Sequence, residues 1–512
     1  MVWGSAGGFK SCDSLLQRVR DNDSKLTSVV ILPMKTFGAT EVTTLAQILE
    51  SGLNTNLKSI SASGHKVPPE ALETLGKALA TTGGQYVKQL SIGDESMGDE
   101  GVVALLQPLL ETCHLEHVDF GFKSLSPTGT AMIGKALGAS GLKKLEIYRN
   151  PTIGDDGMLA LVSNAKDAVD SKQDDDDDDD DDAPQFIFSS LEFLDISECA
   201  VGPKGMEALT KRLLSSSEEE ATTTTTTTTT TKPTQQRPKA MELIASLNPL
   251  TSKSGALLGT LISTNTLCKL SVKKCQLGDD GILALMEAAS SSLSAVVLLS
   301  SLDLSQNGLT TVGASGMASI LLKAKQQQQF SSLTELNLSG NRDVGPQGVV
   351  ELAKAFSSPD NNVCTLDMGS TSCGIEGAAA LLQNCPSLKS LRLFDNNLQC
   401  EGLESIAPHL QGGHLTLEHL DLGGNRAKAP AVATLLSSIL KENPDPNFLS
   451  VLNTVELGGN QGSDEVEEII TSMSKSRPEI DVARDKPKAQ QNDEQEGEGN
   501  LFQNPNTSWV QH

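Results

Sequence analysis

The sequence predicts an α/β solenoid in which a unit of one short strand and one helix repeats along the chain. Variants of the phrase L-x-x-L-x-L-x-x-N/C-x-L occur about fourteen times in the 512 residues, for example at 267–277, 299–309 and 388–398. Most copies are followed by a Gly and then by apolar residues at helical spacing. Most copies begin about 25 to 35 residues apart, and a fixed period of this size indicates a repeat architecture.

The phrase itself predicts a strand. With the first Leu as position 1, positions 4 and 6 are apolar and lie on one face of the strand, whereas positions 3 and 5 lie on the other. We place the starts of the units at Leu26, Leu57, Val87, Leu115, Leu142, Leu191, Ala240, Leu267, Leu299, Leu333, Val363, Leu388, Leu417 and Leu452.

Position 9 is the structural position of the repeat. A side chain there can bond to the backbone of the neighbouring turn and satisfy buried peptide groups that the sheet leaves unpaired. Asn or Cys occupies it at Asn150, Cys199, Asn248, Cys275, Asn307, Asn341, Asn396, Asn425 and Asn460.

A Gly is predicted to mark the turn from each strand into its helix. Helical segments such as 101–110 and 205–214 follow it, and because no unit can bury its apolar face alone, the units must stack. The Gly residues are Gly101, Gly129, Gly157, Gly205, Gly281, Gly348, Gly377 and Gly402.

The unit length and the full helix resemble the ribonuclease-inhibitor-like class of leucine-rich repeat. The resemblance covers roughly residues 26–474. It implies a horseshoe with a parallel sheet on the concave face and helices on the convex face. We therefore expect an N-terminal cap at 1–25, a repeat array at 26–474 and a disordered polar tail at 475–512.

Two polar insertions interrupt the array, near 166–189 and near 215–239. The first contains nine consecutive Asp residues and the second ten consecutive Thr residues, so neither can bury apolar surface and both are predicted to be disordered. Two interpretations stay open: an acidic arm that captures a basic partner, or the expansion of a simple DNA repeat inside a tolerated loop.

Composition narrows the classes of function. The net charge of −25 argues against nucleic acid or an anionic membrane surface as the partner. Nine scattered Cys residues, with neither a secretory segment nor a membrane span, favour the cytoplasm or nucleus as the location of the protein. We also expect a monomer. Residues 129–136 approach a phosphate-binding loop, but Ala136 replaces the required hydroxyl. We expect no cofactor, no metal and no enzymatic activity.

The concave face is the predicted binding surface. Position 5 is acidic in half of the units, and Phe122, Tyr148, Arg149, Arg392 and Phe394 supply the aromatic and Arg groups that commonly anchor interfaces. Either these carboxylates dock Lys and Arg of a partner, or they are simply common in such strands whatever the partner. The acidic residues are Asp119, Glu146, Asp195, Asp303, Asp367, Asp421 and Glu456.

Three functions follow from this reading. The first is a non-catalytic scaffold that binds a basic protein partner on the concave face. The second rests on a more distant resemblance to the Ran GTPase-activating protein family, whose acidic segment follows its repeats instead of interrupting them; it implies a regulator of a Ran-like small GTPase. The third is a fragment of an innate-immune-type sensor, although only about 25 residues precede the first unit. Inhibition of a ribonuclease is a further possibility.

Overall fold

The chain builds one continuous parallel sheet. The computed structural model describes residues 11–137, 141–163, 190–222, 240–291, 297–325, 329–357, 361–414, 416–441 and 450–484. Its strands pair in chain order, each with the next. They are β1 Ser28–Val30, β2 Ser59–Ser63, β3 Gln89–Gly93, β4 His117–Asp119, β5 Lys144–Glu146, β6 Phe193–Asp195, β7 Met241–Ile244, β8 Leu267–Ser271, β9 Ser301–Asp303, β10 Glu335–Asn337, β11 Thr365–Asp367, β12 Ser390–Arg392, β13 His419–Asp421, β14 Thr454–Glu456 and β15 Asp481–Ala483.

A helix precedes β1, and one lies between each strand and the next. Short 3-10 turns at Gly84–Tyr86, Gln107–Leu109, Ser252–Ser254 and Ala407–Leu410 adjoin some of them. The helices are α1 Asp13–Arg20, α2 Ala39–Glu50, α3 Pro69–Leu79, α4 Gly98–Leu106, α5 Pro127–Leu137, α6 Gly154–Val162, α7 Pro203–Thr222, α8 Gly255–Ser263, α9 Gly278–Ala289, α10 Thr311–Lys325, α11 Gly345–Phe356, α12 Gly374–Asn384, α13 Gln399–Ile406, α14 Ala429–Leu440 and α15 Asp464–Ser476.

Strand register creates the core. The position-4 residues of neighbouring units lie opposite one another, as Leu302 does to Leu336 and Leu336 to Leu366. From Val29 to Val455, every one of them is at most 2% exposed. Side chains at positions 3 and 5 therefore project from the opposite, concave face. This arrangement confirms the predicted α/β leucine-rich-repeat solenoid.

The predicted boundary of the tail at residue 475 is wrong. Helix α15 ends at Ser476, and strand β15 then pairs with β14. Ile480 is buried at 6% exposure, and Val482 is partly buried against the core. This last strand lacks the Leu-rich phrase and the Asn, so the repeat pattern could not reveal it.

The second predicted insertion also begins too early. Helix α7 continues to Thr222, because the Ser-, Glu- and Ala-containing segment after residue 214 extends a helix that is already nucleated. The Asp run, the rest of the Thr-run insertion, residues 1–10 and residues 485–512 lie outside the described residues, so the disorder expected there stays a prediction.

The unit predicted to start at Ala240 has the predicted register at position 4, where Leu243 pairs with Leu194, but its strand is irregular at position 1. Met241 pairs with Leu267, the position-1 residue of the next unit, and the register shifts between Met241 and Glu242. Met241 thus fills the buried position-1 site at 3% exposure. The irregular strand restores the register of Leu243 with Leu270 and of Glu242 with Lys269.

The role predicted for the repeated Gly is wrong as well. All eight lie inside the helices, near their N-terminal ends. At Gly129 a Cβ atom would lie 2.4 Å from Oδ1 of Asp99, so Gly is required for close packing of the helix on the preceding unit. The change of direction falls instead at residues such as Gly98 and Gly154, both with φ of +55°.

Candidate protein interface

Buried Asn side chains fix the loops that carry the concave face. Asn341 donates to the carbonyls of Leu338 at 2.7 Å and Leu304 at 3.1 Å, and its Oδ1 accepts from the amides of Asn307 at 2.8 Å and Leu309 at 3.1 Å. One side chain thereby joins two units. Asn150, Asn248, Asn307, Asn396, Asn425 and Asn460 make equivalent bonds.

The two Cys residues at position 9 serve the same purpose more weakly. The thiol of Cys199 donates to the carbonyl of Ile147 at 3.0 Å, and that of Cys275 to the carbonyl of Ala245 at 3.2 Å. Burial raises the pKa of each thiol to about 12, so both stay protonated donors at neutral pH.

A buried lysine replaces Asn in the unit that starts at Leu115. Lys123 is 1% exposed, and its Nζ donates to the carbonyl of Gly121 at 2.8 Å and to the hydroxyl of Ser63 at 3.0 Å. Its side chain thus spans from its own loop to the unit two places earlier. Desolvation lowers the pKa of Lys123, while the charges of Asp119 and Asp94 act in the opposite direction. Residue 123 is position 9 of its unit, but nothing in the sequence indicated that a lysine there would be buried.

The position-5 carboxylates form one registered row. Asp119, Glu146 and Asp195 lie on adjacent strands β4, β5 and β6, and we call them the N-terminal acidic group. Ile244 and Ser271 interrupt the row before Asp303. After Asn337, the row continues in what we call the C-terminal group, whose members are Asp367, Arg392, Asp421 and Glu456.

Most of these carboxylates also have a structural role that the sequence did not reveal. In Asp119, Asp195, Asp303, Asp367 and Asp421, Oδ1 accepts the backbone N–H two residues later, at 2.8 to 2.9 Å. The amide oxygen of Asn337 accepts an equivalent bond at 2.9 Å. A neutral amide can therefore end the strand in the same way, and this backbone bond does not use the second carboxylate oxygen.

Charge is crowded in the N-terminal acidic group. Burial raises the pKa of Asp195, and the neighbouring charge of Glu146 adds to this effect. Burial acts in the same direction on Glu146, but hydrogen bonds from His117, at 2.6 Å, and Lys144, at 3.3 Å, lower its pKa overall. Glu146 is thus paired internally, whereas Asp119 accepts the hydroxyl of Ser91 and the amide of Gly121.

The aromatic residues predicted nearby are brought together with this group. The ring of Tyr148 covers Gly121, where a Cβ atom would lie 2.3 Å from the ring, and the amide of Phe122 donates to the carbonyl of Tyr148 at 2.8 Å. Phe122 is 53% exposed and has φ of +55°, a backbone conformation that bulky residues rarely adopt. Burial and the adjacent carboxylates raise the pKa of Tyr148 to about 12.

Arg149 lies at the same end of the concave face, but its side chain already forms an ion pair within this chain. Its Nε lies 3.0 Å from Oε1 of Glu198 in the next unit. The side chain of Arg149 is 58% exposed, so the pair lies at the surface. A partner could still contact it, but only beside the carboxylate of Glu198.

The C-terminal group is separate from the N-terminal one. Nη1 of Arg392 lies 3.9 Å from Oδ2 of Asp367, and Asp421 lies opposite Arg392 on the other side. Phe394 is 49% exposed, and its ring packs over Gly424, where a Cβ atom would lie 3.1 Å from it. Burial raises the pKa of Asp367 and of Asp421.

A basic unit separates the two acidic groups. Lys269, Lys273 and Lys274 occupy positions 3, 7 and 8 of the unit that starts at Leu267. Lys274 is exposed, and Lys269 lies 3.9 Å from Glu242. Two acidic groups therefore lie on either side of a basic unit on the concave face, a pattern that counting position 5 alone did not reveal.

Three further features of the described residues concern metal binding, membrane spanning and phosphate binding. Those residues contain no group of three or more His, Cys, Asp or Glu side chains able to hold a metal ion. None of their helices is both long and apolar enough to cross a membrane. Lys135, in the near-match to a phosphate-binding loop, lies in the last turn of α5 and not at a helix N-terminus.

Comparisons with known proteins find leucine-rich repeats in this chain and relatives of similar sequence. The Leucine Rich repeat family model matches residues 189–209, 265–286, 298–318, 331–353 and 384–407. The chain is 26% identical to the ribonuclease inhibitor of Sus scrofa over 378 residues, covering 71% of this chain and 74% of that protein. It is 25% identical to the ribonuclease inhibitor of Mus musculus over 350 residues, covering 66% and 70%. A chain in the crystal structure of the yeast Rad7 and Elc1 complex aligns with a TM-score of 0.46 and 14% identity, covering 94% of this chain and 88% of that one.

Proposed function

We propose that this chain, which is a leucine-rich-repeat protein similar to the ribonuclease inhibitors, binds a basic surface of a protein partner on its concave face. The observation that carries the proposal is the N-terminal acidic group next to the exposed ring of Phe122. Exposed aromatic side chains commonly anchor interfaces, and charged groups beside them orient and select the partner.

Electrostatics support a basic partner. Burial raises the pKa of Asp195, Asp367 and Asp421, which means that the ionised forms are held at a cost in the free protein. A Lys or Arg side chain from a partner would offset that cost at the oxygen that the backbone does not use. The net charge of −25 would also attract a basic partner over a longer range.

Quantitative affinity capture tests this function with two variants of equal net charge. Asn can keep the backbone bond of each strand end, as Asn337 does, so the concave variant removes charge and preserves the turn. The concave variant carries Asp119→Asn, Asp195→Asn, Asp367→Asn and Asp421→Asn. The control variant carries Asp156→Asn, Asp280→Asn, Glu376→Gln and Glu401→Gln, all at exposed residues in the first turns of helices.

The expected result is one partner that the wild type and the control variant capture and the concave variant loses. Equal capture by all three proteins would show that the concave carboxylates do not bind the partner. Because the similar proteins are ribonuclease inhibitors by name, a ribonuclease is the first purified protein to test, with inhibition of RNA cleavage as the measurement.

The GTPase-regulator alternative stays a second prediction without a structural observation in its favour. Arg149, the best-placed Arg in the N-terminal half, is paired with Glu198. Single-turnover GTP hydrolysis by Ran, with and without this protein, tests the alternative directly. Acceleration that is lost in Arg149→Lys would support it, and an unchanged rate would remove it.

A further inference from the structure

We propose that the N-terminal part of the concave face, from β1 to β6, binds an extended segment of the partner with an apolar side chain at one end and Lys or Arg at the other. This inference rests on the proposed function, because it specifies where and how the basic partner is held. We call this region the N-terminal strip. Its three parts are an apolar end, a floor of small side chains and the N-terminal acidic group.

The apolar end belongs to the first unit. Val30, Leu32 and Met34 are 60%, 52% and 63% exposed, although they follow one another within five residues. Val29 is fully buried, so Val30 projects from the concave face. The backbone N–H of Lys35 donates a hydrogen bond of 2.9 Å to the carbonyl of Leu32 and closes this short loop. Exposed apolar groups this close together are typical of a contact surface.

The floor lies between the apolar end and the carboxylates. Val30 does not stand directly beside Asp119: it pairs in register with Ser61, Ser61 with Ser91, and Ser91 with Asp119. Two residues further along these strands stand Ser63 and Gly93, which are also small. Small side chains leave room for the backbone of a bound segment, and their hydroxyl groups can hydrogen-bond to it.

Hydrogen bonds of a buried lysine hold the floor in place. The buried amine of Lys123 bonds to the hydroxyl of Ser63 and to the carbonyl of Gly121. It thereby connects the floor to the loop that carries Phe122. An extended segment would meet a preformed surface, so binding would lose little affinity to ordering of this protein.

The acidic end recognises the cation. Asp119 and Asp195 flank Glu146, which is already paired with His117 and Lys144. A Lys or Arg side chain can therefore bind at Asp119 or Asp195 while its aliphatic part contacts Phe122 or Tyr148. Contact of a cation with an aromatic ring adds to this attraction.

The register sets the spacing of the segment. Three strand spacings separate Val30 from Asp119 and five separate it from Asp195, which is about 14 to 24 Å at about 4.8 Å per strand. An extended chain advances about 3.3 Å per residue, so the apolar and basic residues should stand about four to seven positions apart. A single basic residue or a single apolar residue would engage only one end.

Selection from a displayed library of random dodecapeptides tests this proposal on the full-length protein. We expect enriched peptides to combine an apolar residue with Lys or Arg at that spacing. Val30→Ser with Leu32→Ser, and separately Asp119→Asn with Asp195→Asn, should each weaken binding of an enriched peptide about tenfold or more. The matched controls are Val312→Ser, at a site 73% exposed on α10, and Asp156→Asn with Asp280→Asn.

Each remaining outcome decides against the proposal. Enriched peptides without basic residues, no enrichment at all, or equal losses in the control variants would overturn it. A mass by light scattering that falls from dimer to monomer in the Val30 and Leu32 variant would assign the apolar end to a second copy of the chain. If instead only Asp367→Asn with Asp421→Asn weakens the captured partner, the proposed function stands and the N-terminal strip is wrong.

Discussion

At the scale of single residues, the aspartates at position 5 combine two roles in one side chain. One oxygen ends the strand by accepting the amide two residues later, and the other can face the concave surface. This explains why such residues recur in the repeat whether or not a partner uses them. Substitution by Asn separates the two roles, because Asn337 shows that the amide supports the same turn.

The Asn ladder gives the first stability prediction. Asn341→Ala removes four hydrogen bonds between buried groups, so we expect the free energy of unfolding to fall by about 3 kcal/mol. Asn453→Ala, at an exposed residue, serves as the control and should change it by less than about 0.5 kcal/mol. Urea denaturation followed by circular dichroism measures both, and equal midpoints would contradict the role assigned to Asn341.

Lys123 gives a prediction about pH. Since burial holds its pKa in the folded state below the usual 10.5, the unfolded chain binds more protons as the pH approaches that value. The free energy of unfolding of the wild type should therefore rise with pH, relative to Lys123→Met, between neutral pH and about 10.5. If the free energy of unfolding of the two proteins changed with pH in parallel, burial would not lower the pKa of Lys123.

At the scale of elements, a bond between units fixes where helices begin. The sequence G-D-x-G occurs at 98–101, 154–157 and 278–281, and its Asp accepts amides at the start of the following unit's helix. Oδ1 of Asp279 accepts the amide of Thr310 at 2.8 Å, just before α10. This repeated motif was visible in the sequence, but the amides that its Asp binds lie 27 to 50 residues away and could not be inferred from it.

This motif leads to a test with a close control. Asp279→Ala should lower the free energy of unfolding by about 1 to 2 kcal/mol and speed hydrogen exchange at the start of α10. Asp280→Ala removes a charge from the same first turn of α9, but Asp280 is exposed. Faster exchange at α10 in both variants would mean that helix charge, and not the bond to Thr310, is responsible.

The sequence predicted the elements well where one residue type occupies one position. The apolar residue at position 4 located fourteen strands, and Asn or Cys at position 9 marked nine of these units, because these residues contact the next unit. The sequence did not predict strand β15, because that strand lacks the motif. It did not predict the register shift at Met241 either, because the shift depends on pairing with the neighbouring strand. Phe122 and Tyr148 were proposed as binding residues from their residue type, whereas the contact between them required the folded loops.

At the scale of the whole molecule, charge is distributed unevenly along the concave face. The N-terminal acidic group and the C-terminal group lie on either side of the basic unit around Lys273 and Lys274. Two acidic regions could hold one large partner at two places, or a small one at a single place. The affinity of the variants described above distinguishes these cases, since losses at both ends would indicate one large partner.

The total charge gives a kinetic prediction. With a net charge of −25, association with a basic partner should slow steeply as salt is added, while dissociation changes less. Stopped-flow or surface-based kinetics over a range of sodium chloride concentrations measures both rates. An association rate that is independent of salt would argue that apolar contacts, such as those at Val30, dominate recognition.

The most direct test of the central claim is a map of hydrogen exchange in the complex with the captured partner. Binding to the concave face predicts slower exchange in the strand ends and following loops around β4 to β6, at residues such as Phe122 and Tyr148. The exposed sides of helices such as α6 and α9 should be unchanged. Protection confined to those helices, with free exchange in the loops after the strands, would contradict the assignment of the concave face as the binding surface.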